Sequence, residues 1–336
     1  MLFKEDEIAR ADAMAVRQNC GWYRWTHDLV ELTGADAEKF LDYLMVNTIA
    51  GTPVGRGKYT TMLNEDGLII DDLVAFHVGE GIWWLSTLYG PHMVRHFDAY
   101  AEGYDVAYED VTASWDMYAV QGPASAGVMA DVVALDAAEL SGFKRFQTTA
   151  TALAGSDVAV RVDRGGFTGE LGFEVYCKRE DSPAVEAAIA AAAEAHGARK
   201  LKTLEVYVRS LPMEAGMGLR QDYHLLTPYE AGLGWSVRGG KDYVGKEALE
   251  ALHAAGDKRA FVGVEIERES YEDIAQNEII YKRGIPVGRV RQMIYGYTAE
   301  KNIGLAYVDA ERCPVGTRVT IGSNDSPGVI VAPKWV

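Results

Sequence analysis

"DRGGFTGELGFEVY", residues 163–176, carries four glycines and two glutamates in a run that ends as a strand. Side chains alternate along an extended chain, so Gly172, Glu174 and Tyr176 project to one side and Phe173, Val175 and Cys177 to the other. The second face is apolar and suits a core. The first sets a carboxylate and a phenol directly after a glycine-rich turn. The glycines precede the strand, whereas a dinucleotide fingerprint follows one, which counts against a doubly wound nucleotide fold.

Outward from this stretch, the chain mixes strands and helices without regular alternation, which predicts an α+β arrangement. A helix is expected up to about Gln18, a short strand at 29–34 and an amphipathic helix at 35–46. Residues 59–87 read as three strands joined by turns at Asn64–Gly67 and Gly79–Gly81. A helix follows Pro91, and Gly103 lies beyond its end. Ser182 and Pro183 open an alanine-rich helix that stops at Gly197, and residues 245–256 form another. From Phe261 onward short strands with turns at Arg283–Gly284, Gly296 and Gly322 predict a small barrel. The character of the chain changes near residue 257, dividing it into 1–256 and 257–336.

Composition excludes several classes of function. Among 336 residues the net charge is −16, with no basic block, so binding to a phosphate backbone is disfavoured. No apolar run reaches the roughly 18 residues of a membrane span. The N-terminus lacks the layout of a signal peptide, and a cytoplasmic location is expected. Cys20, Cys177 and Cys313 have no metal-binding spacing and read as structural. His92 and His96 lie one helical turn apart without a third ligand, so no metal site is expected. In "GRGKYT" a tyrosine, Tyr59, stands where a phosphate loop needs a hydroxyl for magnesium. No nucleophile elbow is present.

Carboxylates in apolar strands remain. "GLIIDDLVAF" places Asp71 and Asp72 mid-strand, where alternation turns one of them inward. An inward carboxylate costs several kcal/mol unless it meets donors or a ligand. Pairing to backbone or to an arginine accounts for such an aspartate as well as ligand binding does. Glu174 poses the same problem. Two inward carboxylates could grip a ligand rich in N–H donors, such as the amide-like edge of a pterin.

These segments together resemble the aminomethyltransferase family, the folate-binding T-protein of glycine cleavage and its relatives. The likeness rests on "CGWYRWTHDLVELTGADAEKFLDYL" (20–44), "KYTTMLNEDGLIIDDLV" (58–74), "YAVQGPAS" (118–125), the opening glycine-rich stretch, "MEAGMGL" (213–219), "YEAGLGWSV" (229–237) and "DYVGKEAL" (242–249), in that order. The resemblance implies a three-lobed folate-binding α+β fold with a C-terminal β-barrel domain, residues 1–256 being the catalytic region. It implies tetrahydrofolate in a central channel, with Asp71 beside the pterin, Glu174 on its edge and Tyr176 lining that pocket. Tyr59 and Trp235 would flank the folate rings, and Arg238 would meet the glutamate tail. Glu170 matches the motif too, with stabilisation of the turn an equal alternative.

Family members often carry arginines where Pro212 and Val208 stand, and the residues around Thr26-His27 also differ. These changes fall where the one-carbon donor is expected. Trp22, Trp25 and His27 would suit a small methyl donor, although the two tryptophans fit core packing equally. The leading expectation is a tetrahydrofolate-dependent demethylase that moves a methyl group from an O-, S- or N-methyl substrate to N5. His27, Tyr23 and Tyr223 are its candidate proton donors, and Asp71 orients the pterin. The alternatives are aminomethyl transfer yielding 5,10-methylenetetrahydrofolate, and folate binding without catalysis.

Overall fold

The structure, a computed structural model, describes residues 2–272 and 274–336. Its first helix, Glu7–Gln18, starts where the Asp6 carboxylate accepts the Ala9 N–H at 2.9 Å. The buried face of this helix includes Asp12, whose carboxylate accepts from Arg199 and from the N–H groups of Lys202 and Thr203. That buried charge is fully partnered, as burial demands.

Strand β1 (Gly21–Arg24) belongs to the second of three sheets. The next five strands, β2 (Asp28–Thr33), β3 (Arg56–Leu63), β4 (Ile69–Gly79), β5 (Ile82–Thr87) and β6 (Ala107–Asp110), build the first sheet in the order β3-β4-β5-β2-β6. The expected hairpins join β3, β4 and β5. Asn64 shapes the first turn by accepting the Leu68 N–H on its side chain. Helix Ala37–Leu44 covers one face, burying Phe40, Leu41 and Leu44 against Met62, Leu73 and Leu85.

The second sheet uses β1 with β7 (Trp115–Gln121), β8 (Thr148–Ala152), β9 (Ala159–Asp163), β10 (Gly172–Lys178) and β11 (Arg199–Lys200), ordered β11-β1-β7-β10-β9-β8. β10 keeps the expected alternation: Phe173, Val175 and Cys177 join one core with helix Ser182–Ala195, while Tyr176 joins another with Met117 and Ala119. Both faces of β10 are buried, the side that carries Glu174 and Tyr176 included.

Strands β12 (Arg259–Ile266), β13 (Ile279–Lys282), β14 (Ile285–Gly296), β15 (Lys301–Asp309), β16 (Arg318–Ile321) and β17 (Ser326–Val331) close a barrel, with β12 paired to both β15 and β17. The architecture is therefore α+β, two sheets with helices plus a C-terminal barrel. Among the described residues no helix is long and apolar enough to cross a membrane.

One arginine fastens several of these parts. Arg17 donates to Glu170 at 3.0 Å, to Glu214 at 3.1 Å and to the carbonyls of Thr168 and Leu211. Glu214, fully buried, also accepts the N–H groups of Thr298 and Ala299 from the barrel. Its backbone carbonyl takes those of Trp335 and Val336. Glu170 is thus an anchor of the glycine-rich turn and not a cavity group.

Candidate functional site

All three lobes contribute to one cavity of about 440 Å³. From the first sheet come Tyr59, Asp71, Asp72, Ser86 and Thr87; from β10 comes Glu174; from the barrel comes Phe261. Loops 145–146, 165–167 and 216–223 supply much of the remaining wall.

Asp71 and Asp72 both line the cavity, which corrects the expectation that only one turns inward. The ladder between β3 and β4 skips Ile70, between the Leu63–Ile69 and Met62–Asp71 pairs, while Asp71 and Asp72 themselves pair regularly with Met62 and Thr61. Asp71 is 3% exposed; it accepts the Thr87 hydroxyl at 2.8 Å and the Asp72 N–H at 2.9 Å. Asp72 accepts the Tyr59 hydroxyl at 3.0 Å. Burial pushes both carboxyls up to about 7, with the charge of Asp71 adding to the effect on Asp72. The Arg220 guanidinium opposes this rise for both, and it lies 4.1 Å over the Tyr89 ring while donating to the Ile70 carbonyl. At the mouth, Tyr59 and Trp235 stack with centroids 5.8 Å apart, and Trp235 is 56% exposed. The pair leaves a flat aromatic surface open to a ligand.

At the other wall Glu174 accepts the Tyr176 hydroxyl at 3.4 Å. Asp163 stands opposite it across the β9–β10 ladder, buried, with neither carboxylate oxygen hydrogen-bonded. Burial pushes Glu174 up to about 7 and Asp163 well above the usual carboxylate range, the charge of Glu174 adding to the rise at Asp163. The glycines matter here for space. A Cβ on Gly165 would lie 2.3 Å from the Asp163 Oδ1 and 3.2 Å from the Glu174 Oε2. Gly166 sits at φ +121°, and its Cβ would meet the Gln121 amide at 2.1 Å. Phe146, also on the wall, holds φ +59°, a strained conformation for a non-glycine residue of the kind that collects at functional sites.

His27 lines the cavity, with Trp25 edge-on at 4.5 Å. Its Nδ1 shares a 2.9 Å hydrogen bond with the Ser86 Oγ, and its Nε2 has no partner. Burial lowers the imidazole to about 4, so the ring is neutral at pH 7.

Of the residues singled out from sequence, Trp25, His27, Tyr59, Asp71, Glu174, Tyr223 and Trp235 meet at this cavity. The Tyr223 hydroxyl accepts the Gly218 N–H at 2.7 Å. Tyr176 does not line the cavity: it is buried and donates to Glu174, which does. Trp22 does not line it. Alternation along β1 sends that ring into the core beneath helix Ser182–Ala195, with the Lys200 ammonium 4.7 Å above it. Tyr23, half-buried, packs against a core cluster, and Arg238 is exposed outside the lining. Sequence reading passed over Asp163, Ser86 and Arg220. Asp163 carried a signal, because "AVRVD" alternates apolar residues with Arg161 and Asp163. Among the described residues no group of His, Cys, Asp or Glu is placed to hold a metal.

Comparison with known proteins places these features in context. A family model described as the GCVT N-terminal domain matches residues 3–241, and one described as the glycine cleavage T-protein C-terminal barrel domain matches residues 259–333. The chain is 33% identical over 327 residues to an aminomethyltransferase of Bacillus velezensis, covering 91% of this chain and 83% of that protein. It is 33% identical over 325 residues to an aminomethyltransferase of Clostridium botulinum, covering 91% and 82%. The solved glycine cleavage system aminomethyltransferase T from Bartonella henselae superposes with a TM-score of 0.84 at 21% identity, across 98% of this chain and 89% of that one.

Proposed function

The chain belongs to the aminomethyltransferase family and is a tetrahydrofolate-dependent one-carbon transferase, and from that premise we propose that it transfers an aminomethyl carbon to tetrahydrofolate. Ammonia and 5,10-methylenetetrahydrofolate are the products of this reading. The observation that carries it is the meeting of Asp71, Asp72 and Glu174 in one cavity roofed by the Tyr59–Trp235 stack. The relatives named aminomethyltransferase favour this carbon over a methyl group.

The residues present fit a reduced pterin. Glu174, backed by the unpartnered Asp163, offers acceptors to a ring amide and an exocyclic amine. Gly165 and Gly166 keep that edge free of side chains, and the exposed Trp235 ring gives a stacking face for the rest of the ligand. When bound, tetrahydrofolate supplies the nucleophilic N5. Asp71 and Asp72 orient the ring and stabilise positive charge that develops on its nitrogens. Holding the nucleophile and carbon at near-attack distance is the larger contribution, a term that reaches roughly 7–11 kcal/mol in well-aligned systems. His27, a lining residue whose buried Nε2 has no partner among the described residues, is the candidate donor of a proton to the departing group. Residues 1–256 hold this machinery, with the barrel adding Phe261 and Pro333 to the wall. The reading places the protein in the cytoplasm, where its three unpaired, buried cysteines stay reduced.

Demethylation is the second reading. Val208 and Pro212 stand where family members often carry arginines, which favours an uncharged or aromatic donor such as a methoxy-arene over a charged carrier. Incubation with tetrahydrofolate and either an aminomethyl-lipoyl donor or a panel of methoxy, sulfonium and methylamine donors, followed by mass analysis of the folate, separates the two. A methylene product supports the first reading and a 5-methyl product the second. Tight folate binding with neither product would overturn both in favour of a non-catalytic folate binder.

A further inference from the structure

Among the described residues two arginines line the cavity, Arg145 and Arg220, and they differ in what they hold. Arg220 is occupied, donating to the Ile70 carbonyl and lying over the Tyr89 ring. Arg145 has no hydrogen-bond acceptor and no ion-pair partner among the described residues. Its guanidinium stands 4.9 Å from the ring centre of Phe146, the strained residue that lines the same cavity. The backbone there is pinned from both sides. The Phe146 N–H donates to the Arg164 carbonyl at 2.9 Å, and the Phe146 carbonyl accepts the Gly57 N–H at 2.6 Å. Two neighbouring segments thus hold Phe146 at φ +59°, which fixes the base from which Arg145 projects.

Further cations gather round this loop. Arg164 donates to the Phe143 carbonyl at 2.6 Å, and Arg56 to the Gln147 side chain at 3.4 Å. Lys144 precedes Arg145, and its backbone N–H donates to the same Gln147 side chain. Arg56, Lys144 and Arg164 likewise have no ion pair among the described residues. Acidic side chains outnumber basic ones 49 to 33 in this chain, so four neighbouring cations without an acid partner do not reflect a shortage of acids. Their mutual repulsion is a standing cost that a bound anion relieves. Partial desolvation, and then the charge of Arg164, hold the Arg145 guanidinium below its ordinary value.

We propose, resting on the one-carbon transfer reading above, that Arg145 is the centre of a carboxylate-binding subsite on the cavity wall, with Arg56, Lys144 and Arg164 supplying its positive field. The planar guanidinium fork suits a carboxylate, which it takes through two parallel N–H···O bonds. Elsewhere the lining offers acceptors: Asp71, Asp72 and Glu174 suit a ligand's N–H groups and repel its carboxylates. A ligand that carries both kinds of group is therefore turned one way round. Two sources of a carboxylate meet this description, the glutamate end of tetrahydrofolate and an acidic one-carbon donor. Arg238, the residue expected at the glutamate tail, is exposed outside the lining and leaves that role open.

Binding measurements on the full chain separate the two sources. Tryptophan quenching gives Kd for (6S)-tetrahydrofolate and for 6-methyltetrahydropterin, which has the ring but no carboxylate. If the glutamate end is the source, Arg145→Ala weakens tetrahydrofolate binding by roughly 10- to 150-fold, the range for a hydrogen bond to a charged group, and leaves the tail-free pterin within about threefold. Arg145→Lys, which keeps the charge without the fork, recovers part of the loss. If a donor is the source, tetrahydrofolate binding moves by less than about threefold in Arg145→Ala. The folate-loaded protein then prefers 4-methoxybenzoate to 4-methoxybenzamide by about tenfold or more, and Arg145→Ala abolishes that preference. The subsite is overturned if Arg145→Ala alters neither arm, or if it weakens the pterin as much as tetrahydrofolate. Arg145 holds no hydrogen bond within the described fold, so an unchanged urea midpoint is expected and shows that the variant is folded. A chain that makes no folate product from any donor refutes the one-carbon reading alone, because both arms read binding.

Discussion

Replacing Asp71 by asparagine should stabilise the ligand-free protein. Burial raises this carboxyl from 3.8 to about 7, a shift of roughly 3 units, and each unit corresponds to about 1.4 kcal/mol. The charged form thus costs the fold up to about 4 kcal/mol above pH 7, and about half of that is expected once the cavity relaxes and admits water. The sign follows from proton linkage. Between pH 3.8 and about 7 the folded state binds a proton that the unfolded state has released, so wild-type stability falls as pH rises through that window and is flat above it. The substituted amide has nothing to titrate and still accepts the Thr87 hydroxyl, which donates to Asp71 at 2.8 Å. Thermal and urea unfolding of both proteins at pH 4, 6 and 8 measures the effect. The variant should lead by about 2–4 kcal/mol at pH 8 and by little at pH 4. Added tetrahydrofolate should narrow the gap, because only the wild-type carboxylate serves the ligand. A variant less stable than wild type at pH 8, or a difference that ignores pH, would refute the assignment of Asp71 as a buried, functionally retained charge.

Glu174→Gln leaves the Tyr176 contact in place but removes the charged acceptor; tetrahydrofolate binding followed by tryptophan quenching should weaken by roughly 10- to 150-fold, the range for a hydrogen bond to a charged group. Trp235→Ala should weaken folate binding by about 1 kcal/mol without moving the unfolding midpoint, since the ring is mostly exposed; an unchanged Kd in calorimetry would remove it from the ligand's path. Gly166→Ala, at φ +121° against the Gln121 amide, should cost about 1–3 kcal/mol in urea unfolding. Trp22→Ala should lower stability by about 3–5 kcal/mol while any folded fraction keeps its choice of donor, and altered donor preference would return Trp22 to the substrate wall.

Much of this architecture is legible in the chain because local rules act alone there. The Asn64–Gly67 turn is written in an asparagine that accepts its own loop's N–H and a glycine at φ +77°. Short strands after Phe261 can bury their apolar faces only by closing on one another, hence the barrel. Errors arose where two rules compete. "WYRWTH" reads as an aromatic patch if its residues are pooled, but extension parts them, Trp22 to the core and Trp25 to the cavity. Asp71 and Asp72 pair regularly with Met62 and Thr61, yet both line the cavity, and nothing in "IIDD" announces that other elements wall a space which both residues reach. Asp163 needed the tertiary fact that its neighbour across the ladder is another carboxylate.

The clasp around Arg17 has a bearing on how the molecule comes apart. A single guanidinium joins the first helix to the glycine-rich turn, and its partner Glu214 reaches both the barrel and the chain's last two residues. Loosening any one lobe strands a fully enclosed ion, so no lobe has a cheap private route to disorder. A scanning calorimeter should therefore record one endotherm for the whole chain.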